Sequence, residues 1–397
     1  LDLALTIERV EILLLIAAVV AMLARRLRVP YSIGLVVAGF GAALLPFALN
    51  IQLTKELIFT AFLPPLIFEA ALYLHWRDLR KDLSVILVLA TVGVLLSAAA
   101  TAMGMRYLAH WEWAGASVFG VLIAATDPVS VIATFKEAGA RGRIRLLVEA
   151  ESLFNDCTAA VAFTIALLLA SGQSPGVAVG LKTLGIGVLG GLLCGALVAG
   201  VALLLAGGTD DHLVEITFTV VAAYGSFLLA EHFHASGVLA TVTAGIIVGN
   251  VGHLSISAKA RQAVDGFWEY AAFVANSLIF LLIGMRVAHQ NFRSVLLPAV
   301  IAIVLVTLSR AIAVYPSCLF FSRSALKIKL KHQHILFWGG LRGALALALA
   351  LGLPMGMPRR DEIITVAFAV VAFSILAQGL TIKRLMRKLG ELPADKG

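Results

Sequence analysis

Between residues 8 and 381 the chain is a succession of apolar stretches joined by short polar or basic connections. Most are long enough to cross a bilayer core, which takes about 20 residues of helix. This restricts the fold severely. Hydrocarbon offers backbone N–H and C=O groups no water, so only helices and closed barrels span it. The stretches are continuously apolar and lack the alternation of barrel strands, so they are read as helices. Composition fits: 60% of residues are hydrophobic and 14% charged, where a soluble domain carries about a quarter charged residues. The expected fold class is an all-α polytopic membrane protein of about thirteen transmembrane helices. Their expected spans are 8–24, 30–48, 55–75, 83–108, 114–135, 146–170, 176–206, 212–231, 236–250, 266–285, 295–321, 334–352 and 362–381. The run at 176–206 exceeds what a bilayer requires and is expected to tilt or to project beyond the lipid.

A net charge of +8 would suggest nucleic acid in a soluble protein. Here the basic residues gather in alternate connections, which reports topology, and no nucleic-acid partner is expected. The rich set holds Arg25, Arg26 and Arg28; Arg77, Arg80 and Lys81; Lys136, Arg141, Arg143 and Arg145; Lys259 and Arg261; Arg323 to Lys331; and Lys383 to Lys388. That side is assigned to the cytoplasm. The N-terminus is then outside and the C-terminus cytoplasmic, in a cell (inner) membrane. The three cysteines, Cys157, Cys194 and Cys318, fall in apolar runs and form neither a disulfide framework nor a zinc spacing. No cofactor is expected.

Two stretches are interrupted at their polar centres. In the fifth, Ala125-Thr126-Asp127-Pro128 breaks the hydrogen-bond ladder. Pro128 has no N–H, so the Ala124 carbonyl loses its donor, and Asp127 is pushed out of the α region. In the twelfth, Gly339-Gly340-Leu341-Arg342-Gly343 sets three glycines around one arginine. The two stretches lie an odd number of crossings apart and so run in opposite directions. Paired broken helices in two halves of a chain point to an inverted-repeat transporter with a site near the midplane. Stretches one to six and eight to thirteen are the expected repeats, and the seventh links them. The repeat rests on layout, since the halves show no clear residue-level identity.

Candidate chemistry gathers at Glu151-Ser152-Leu153-Phe154-Asn155-Asp156, in the sixth stretch. Ser152 and Asp156 are four apart and share one helix face, and Glu151 and Asn155 share the adjacent stripe. Each charge there costs about 2.5–3.5 kcal/mol to insert, so the stripe is expected to face protein or an aqueous cavity. The charges placed inside the membrane are Glu69, Asp127, Glu151, Asp156, Arg310 and Arg342. Glu149 lies nearer the basic end and is expected to pair there. Acids outnumber bases inside, and protons or bound cations must fill the deficit. A desolvated carboxylate holds a proton or a hard monovalent cation, but not both well, and serving both in turn gives exchange. Asp156 is neutral with either, so an exchange built on it moves no net charge. Hard cations take oxygen ligands. Asp156 and Ser152 offer them from the sixth stretch, the Thr126 carbonyl and Asp127 carboxylate from the unwound fifth, and Glu69 from the third. Glu151 is better read as the structural partner of an arginine, Arg310 first. Arg342 suits the end of a half-helix dipole.

Arg310 and Arg342 could snorkel, but their central positions argue against it. His232 and His234 read as solvated helix-end residues. An intramembrane enzyme would want a His-Glu-x-x-His motif, which is absent. Gly172-Gln173-Ser174-Pro175-Gly176 fits Gly-x-Ser-x-Gly but lacks a strand–turn–helix setting and reads as a turn. A non-transporting sensor remains a separate class, and so does a channel-like uniporter, which would need a continuous pore.

Ala125-Thr126-Asp127-Pro128-Val129-Ser130, Glu151 to Asp156, Gly339 to Gly343, and Leu63 to Ala70 stand in the order of four motifs of one family. Over nearly its whole length the chain resembles cation–proton antiporters of the NhaP/NHE type. The resemblance implies an NhaA-like fold with crossed discontinuous helices and a homodimer in the lipid bilayer. It implies scaffold and dimerisation helices at 1–80, core helices at 81–172, the linker and further scaffold helices at 173–290, core helices at 291–382 and a cytoplasmic tail at 383–397. It implies exchange of Na+, or of Li+ or K+, for H+. Asp156 would bind cation or proton, with Ser152, the Thr126 carbonyl and Glu69 completing the shell. Asp127 would act through water, Asn155 would hold the crossed chains, and Glu151 with Arg310 would be structural. Asparagine before Asp156 resembles the electroneutral branch. Cys157 departs from the small alanine or glycine common there.

Overall fold

The computed structural model describes residues 3–27, 30–44, 53–127, 132, 135, 142–172 and 177–392. Arg28, Pro128 to Ser130, Lys136, Arg141 and the stretch Gln173 to Gly176 therefore lie outside the described residues. Among those described, the regular secondary structure is all helical, with one isolated antiparallel bridge between Asp127 and Leu341.

Over their described residues the expected stretches fall on helices, the fifth as far as Leu122 and the twelfth as two half-helices. The helices are α1 (Leu3–Leu27), α2 (Tyr31–Ala43), α3 (Leu57–Leu72), α4 (Trp76–Leu108), α5 (Trp113–Leu122), α6 (Arg143–Ala170) and α7 (177–206). They continue with α8 (His212–His232), α9 (Gly237–Val251), α10 (Ala258–Ala288), α11 (Leu296–Phe320), α12a (Leu330–Trp338), α12b (Ala344–Leu351) and α13 (Arg360–Lys388). Among the described residues, eight helices are long and apolar enough to cross a membrane.

Several ends differ from the expected spans. α4 begins at Trp76 rather than 83, α10 covers Ala258–Ala288 rather than 266–285, and α13 runs on to Lys388. An apolar run marks the lipid-solvated part of a helix, and charged turns beyond it stay helical in water. Those turns also carry structure. Asp82, buried near the start of α4, pairs with Arg143 at 2.7 Å, and Arg143 donates to the Leu326 and Lys327 carbonyls at 2.7 and 2.8 Å. One arginine thus ties the starts of α4 and α6 to the connection before α12a.

Local sequence accounts for several element boundaries. Ser236, Ser257 and Asp211 cap α9, α10 and α8 by accepting the backbone N–H of Leu239, Ala260 and Leu213. Within α3, Pro64 and Pro65 supply no N–H, and a wider π-type turn, Leu57–Phe62, precedes them. Pro65 leaves the Ala61 carbonyl without its helical donor, and the Tyr224 hydroxyl of α8 donates to it at 3.1 Å.

Two sets of helices pack mainly among themselves. α4 lies against α5, α6 and α11, and α11 and α12b against α13. In the other set α2 and α3 lie against α10, and α9 against α3, α7 and α8. The site described next lies where α6 and α12b of the first set meet α3 and α10 of the second.

Candidate functional site

The unwound ends of α5 and α12a cross at the bridge, where the Asp127 N–H donates to the Leu341 carbonyl at 2.7 Å. Two glycines make the crossing sterically possible. A side chain at Gly340 would run into the Arg310 guanidinium, and one at Gly343 into the Asp127 carboxylate. Asp127 consequently lies against the start of α12b, where exposed N–H groups favour an anion. The Ala124 carbonyl, which a proline at 128 leaves without a helical donor, accepts from the buried Arg342 guanidinium at 2.6 Å; the Ala125 carbonyl accepts at 3.0 Å. The positive charge of Arg342 thus meets the carbonyl end of the half-helix α5, as the dipole argument requires.

α6 supplies the wall against which the crossing is held. Asn155 is fully buried. Its Oδ1 accepts the Thr126 N–H at 3.1 Å, and its Nδ2 donates to Thr126 Oγ1 at 2.5 Å and to Glu151 Oε1 at 3.1 Å. Ser152 Oγ donates to the Thr126 carbonyl. Arg310 makes a two-pronged pair with Glu151, at 2.9 and 3.0 Å, and also donates to the Leu336 carbonyl at the end of α12a. Glu151 and Arg310 are 2% and 5% exposed. Their charges are satisfied by each other.

The remaining residues of the sequence reading come together in one cavity of about 460 Å³. Thr126, Asp127, Ser152, Asp156 and Glu69 all line it, and Gly343 closes one side. Asn155, Glu151, Arg310 and Arg342 are not in its lining; they hold the frame behind it. Cys157 is buried and donates to the Leu153 carbonyl within its own helix.

Sequence reading missed part of this cavity. Glu269 and Asn276 of α10, Tyr31 of α2 and Arg25 of α1 line it too. Glu149 pairs with Arg145 at 2.8 Å, as its place near the basic end suggested, yet it also faces the cavity. Glu149 and Glu269 line a second cavity of about 800 Å³ as well, bounded by His75, Asp78, Lys81, Arg143 and Arg145. The two carboxylates therefore stand at the neck between the inner cavity and the basic face of the protein. The spacing Arg145, Glu149, Ser152, Asp156 along α6 was the available signal, since all four share one stripe.

Residues 13–388 match the family profile described as sodium/hydrogen exchanger, transmembrane. The chain is 37% identical over 375 residues to the Na+/H+ antiporter ApNhaP of Aphanothece halophytica, covering 91% of this chain and 70% of that protein. It is 35% identical over 401 residues to the Na+/H+ antiporter NhaH of Halobacillus dabanensis, covering 96% and 98%. Its fold matches the solved structure of the sodium proton antiporter MjNhaP1 from Methanocaldococcus jannaschii with a TM-score of 0.80 at 19% identity, over 98% of this chain and 99% of the other. With the broken-helix crossing in place and the family profile spanning nearly all of its length, the chain belongs to the sodium/hydrogen exchanger family of transmembrane proteins.

Proposed function

We propose that this protein is a secondary antiporter that exchanges protons for monovalent cations, with Na+ as the main substrate. The observation that carries the reading is the inner cavity. Around the unwound chain at Thr126 it gathers the carboxylates of Asp156, Asp127 and Glu69 and the Ser152 hydroxyl, with Glu149 and Glu269 further out at the neck, while Glu151 is occupied by Arg310. Oxygen donors with carboxylates among them suit a hard monovalent cation or a proton. The relatives are Na+/H+ antiporters by name, which favours Na+ over K+ and sets the sensor, the uniporter and the enzyme aside.

In this mechanism Asp156 takes a proton or a cation in turn. Ser152 turns its hydrogen away from the Thr126 carbonyl so that both oxygens face the cation, and Glu69 closes the shell from α3. Asp127 acts through water, and Asn155 keeps the crossing in register. The neck at Glu149 and Glu269 connects the site to the basic face, which the charge bias assigns to the cytoplasm. Alternating access then moves α4–α6 and α11–α13 against α1–α3 and α7–α10, the latter set also forming a homodimer.

Proteoliposomes with an internal pH dye test the reading. Na+, Li+ and K+ are offered in turn at fixed pH. Na+-driven proton movement is expected, and its absence across a wide pH range in folded protein rejects the antiporter. Because Asp156 is neutral with either ion, exchange is expected to be one for one. Imposing a valinomycin potential at fixed Na+ and H+ gradients should leave the reversal point unmoved, and a shifted reversal point would show net charge transfer. Gly343→Ala is expected to suppress exchange strongly, because the new methyl displaces the Asp127 carboxylate. Gly356→Ala, which meets open space, is expected to transport like wild type.

A further inference from the structure

Ser374 and Gln378 lie on α13 and carry no charge that marks them in the sequence. Both are buried, at 2% and 6% exposure. The stretch Ser374–Gln378 forms a π-type turn within α13, one of five such stretches among the described residues. The turn faces the unwound part of α12. Ser374 Oγ accepts the Arg342 N–H at 2.8 Å and donates its own hydrogen to Gln378 Oε1 at 2.8 Å. The hydroxyl is held from both sides, by one accepted and one donated hydrogen bond.

The Arg342 N–H and the Leu341 carbonyl belong to one peptide group, and a peptide group is rigid and planar. Its nitrogen end is held by Ser374, and its oxygen end accepts the Asp127 N–H at 2.7 Å. One peptide at the crossing is therefore gripped by α13 on one side and by the unwound α5 on the other. A small void bounded by Arg310, Gly340, Arg342, Ser374 and Gln378 lies beside this peptide. Rotation that frees the N–H would also swing the Leu341 carbonyl away from Asp127. A buried peptide N–H without a partner is unfavourable, so the Ser374 hydroxyl keeps the peptide in place.

We propose that Ser374, oriented by Gln378, is a positioning residue for cation recognition. It fixes the Leu341–Arg342 peptide and, through it, the place of Asp127 in the cavity. The proposal rests on the antiporter reading above. It makes α13 part of the site without any α13 side chain lining the cavity.

The test uses the full chain, purified and reconstituted, with Na+ as the probe. Wild type, Ser374→Ala, Ser374→Thr, Gln378→Leu and the Ser374→Ala/Gln378→Leu double variant are compared. Ser374→Ala is expected to raise the KM for Na+ about fivefold, the equivalent of one neutral hydrogen bond. It is expected to shift the pH profile while maximal rate and melting temperature change little. Ser374→Thr keeps the hydroxyl and should recover most of the loss. Gln378→Leu should act in the same direction but less. The double variant should be no worse than Ser374→Ala, because the two residues act in series. A Ser374→Ala protein with wild-type KM and pH profile overturns the proposal, and so do losses that multiply in the double variant. If Ser374→Ala does not assemble, Gln378→Leu decides alone, and a wild-type KM for it is the overturning result. The midpoint of Na+-dependent thermal stabilisation in detergent reads the same contrast without transport. A wild type that binds Na+ but moves no protons thus removes the antiporter reading, while an unmoved midpoint in Ser374→Ala removes this one.

Discussion

Asp156→Asn is expected to reduce cation-driven proton movement to background while the protein still inserts and folds. The substitution is nearly isosteric, so the cavity keeps its shape, but the side chain no longer accepts a proton or balances a cation. The neighbouring acids are not placed to take over. Asp127 is fixed by its backbone bond to Leu341 and lies against Gly343 at the start of α12b. Glu69 lines the cavity from a separate element, α3. Glu151 is committed to Arg310. The measurement is dye-reported proton flux in proteoliposomes, normalised to inserted protein, with Na+, Li+ and K+ offered separately. Substantial flux with any of them in the variant would remove Asp156 from its central place.

The legible part of this site is the part that lipid makes costly. A carboxylate inside an apolar run must have a reason, so Glu69, Asp127, Glu151 and Asp156 stood out from the sequence and so did Arg310 and Arg342. The four-residue spacing on α6 separated Ser152 and Asp156 from Glu151 and Asn155. The structure places the first two in the cavity lining and the second two behind it. The helix break at Thr126 and Asp127 was legible because proline chemistry is local.

What stayed hidden was either uncharged or near an end. Ser374 and Gln378 are uncharged residues on an apolar helix, and nothing in their spacing announces a π-type turn. Glu269 lies within three turns of the basic end of α10, where a charge is ordinary. Only the packing of α10 against α3 turns it toward the neck. Arg143 read as part of the topology bias and Asp82 was not singled out, since charge counting cannot tell a solvated residue from a clamped one. Glu215 was equally silent: it is fully buried on α8 and accepts the Ser257 N–H at the start of α10.

Arg310→Ala is expected to destabilise the protein by roughly 3–5 kcal/mol, the usual cost of removing one partner from a buried ion pair. The variant leaves the Glu151 carboxylate with Asn155 as its remaining donor and deprives the Leu336 carbonyl of two hydrogen bonds. It also opens space beside Gly340, whose missing side chain exists to admit the guanidinium. Glu151→Gln should cost less, because the amide still accepts from Arg310, although the arginine then loses its countercharge. Removing both charges with Glu151→Gln and Arg310→Met should recover part of the loss, since a neutral pair no longer carries an unbalanced buried charge. The check is thermal unfolding of the detergent-purified variants beside flux per folded molecule. A structural pair predicts early melting with exchange retained in whatever remains folded. If instead Arg310→Ala melts like wild type and has lost exchange, the pair carries part of the transport step, and the division between an ion-handling cavity and a rigid frame behind it has to be redrawn with Glu151 on the cavity side.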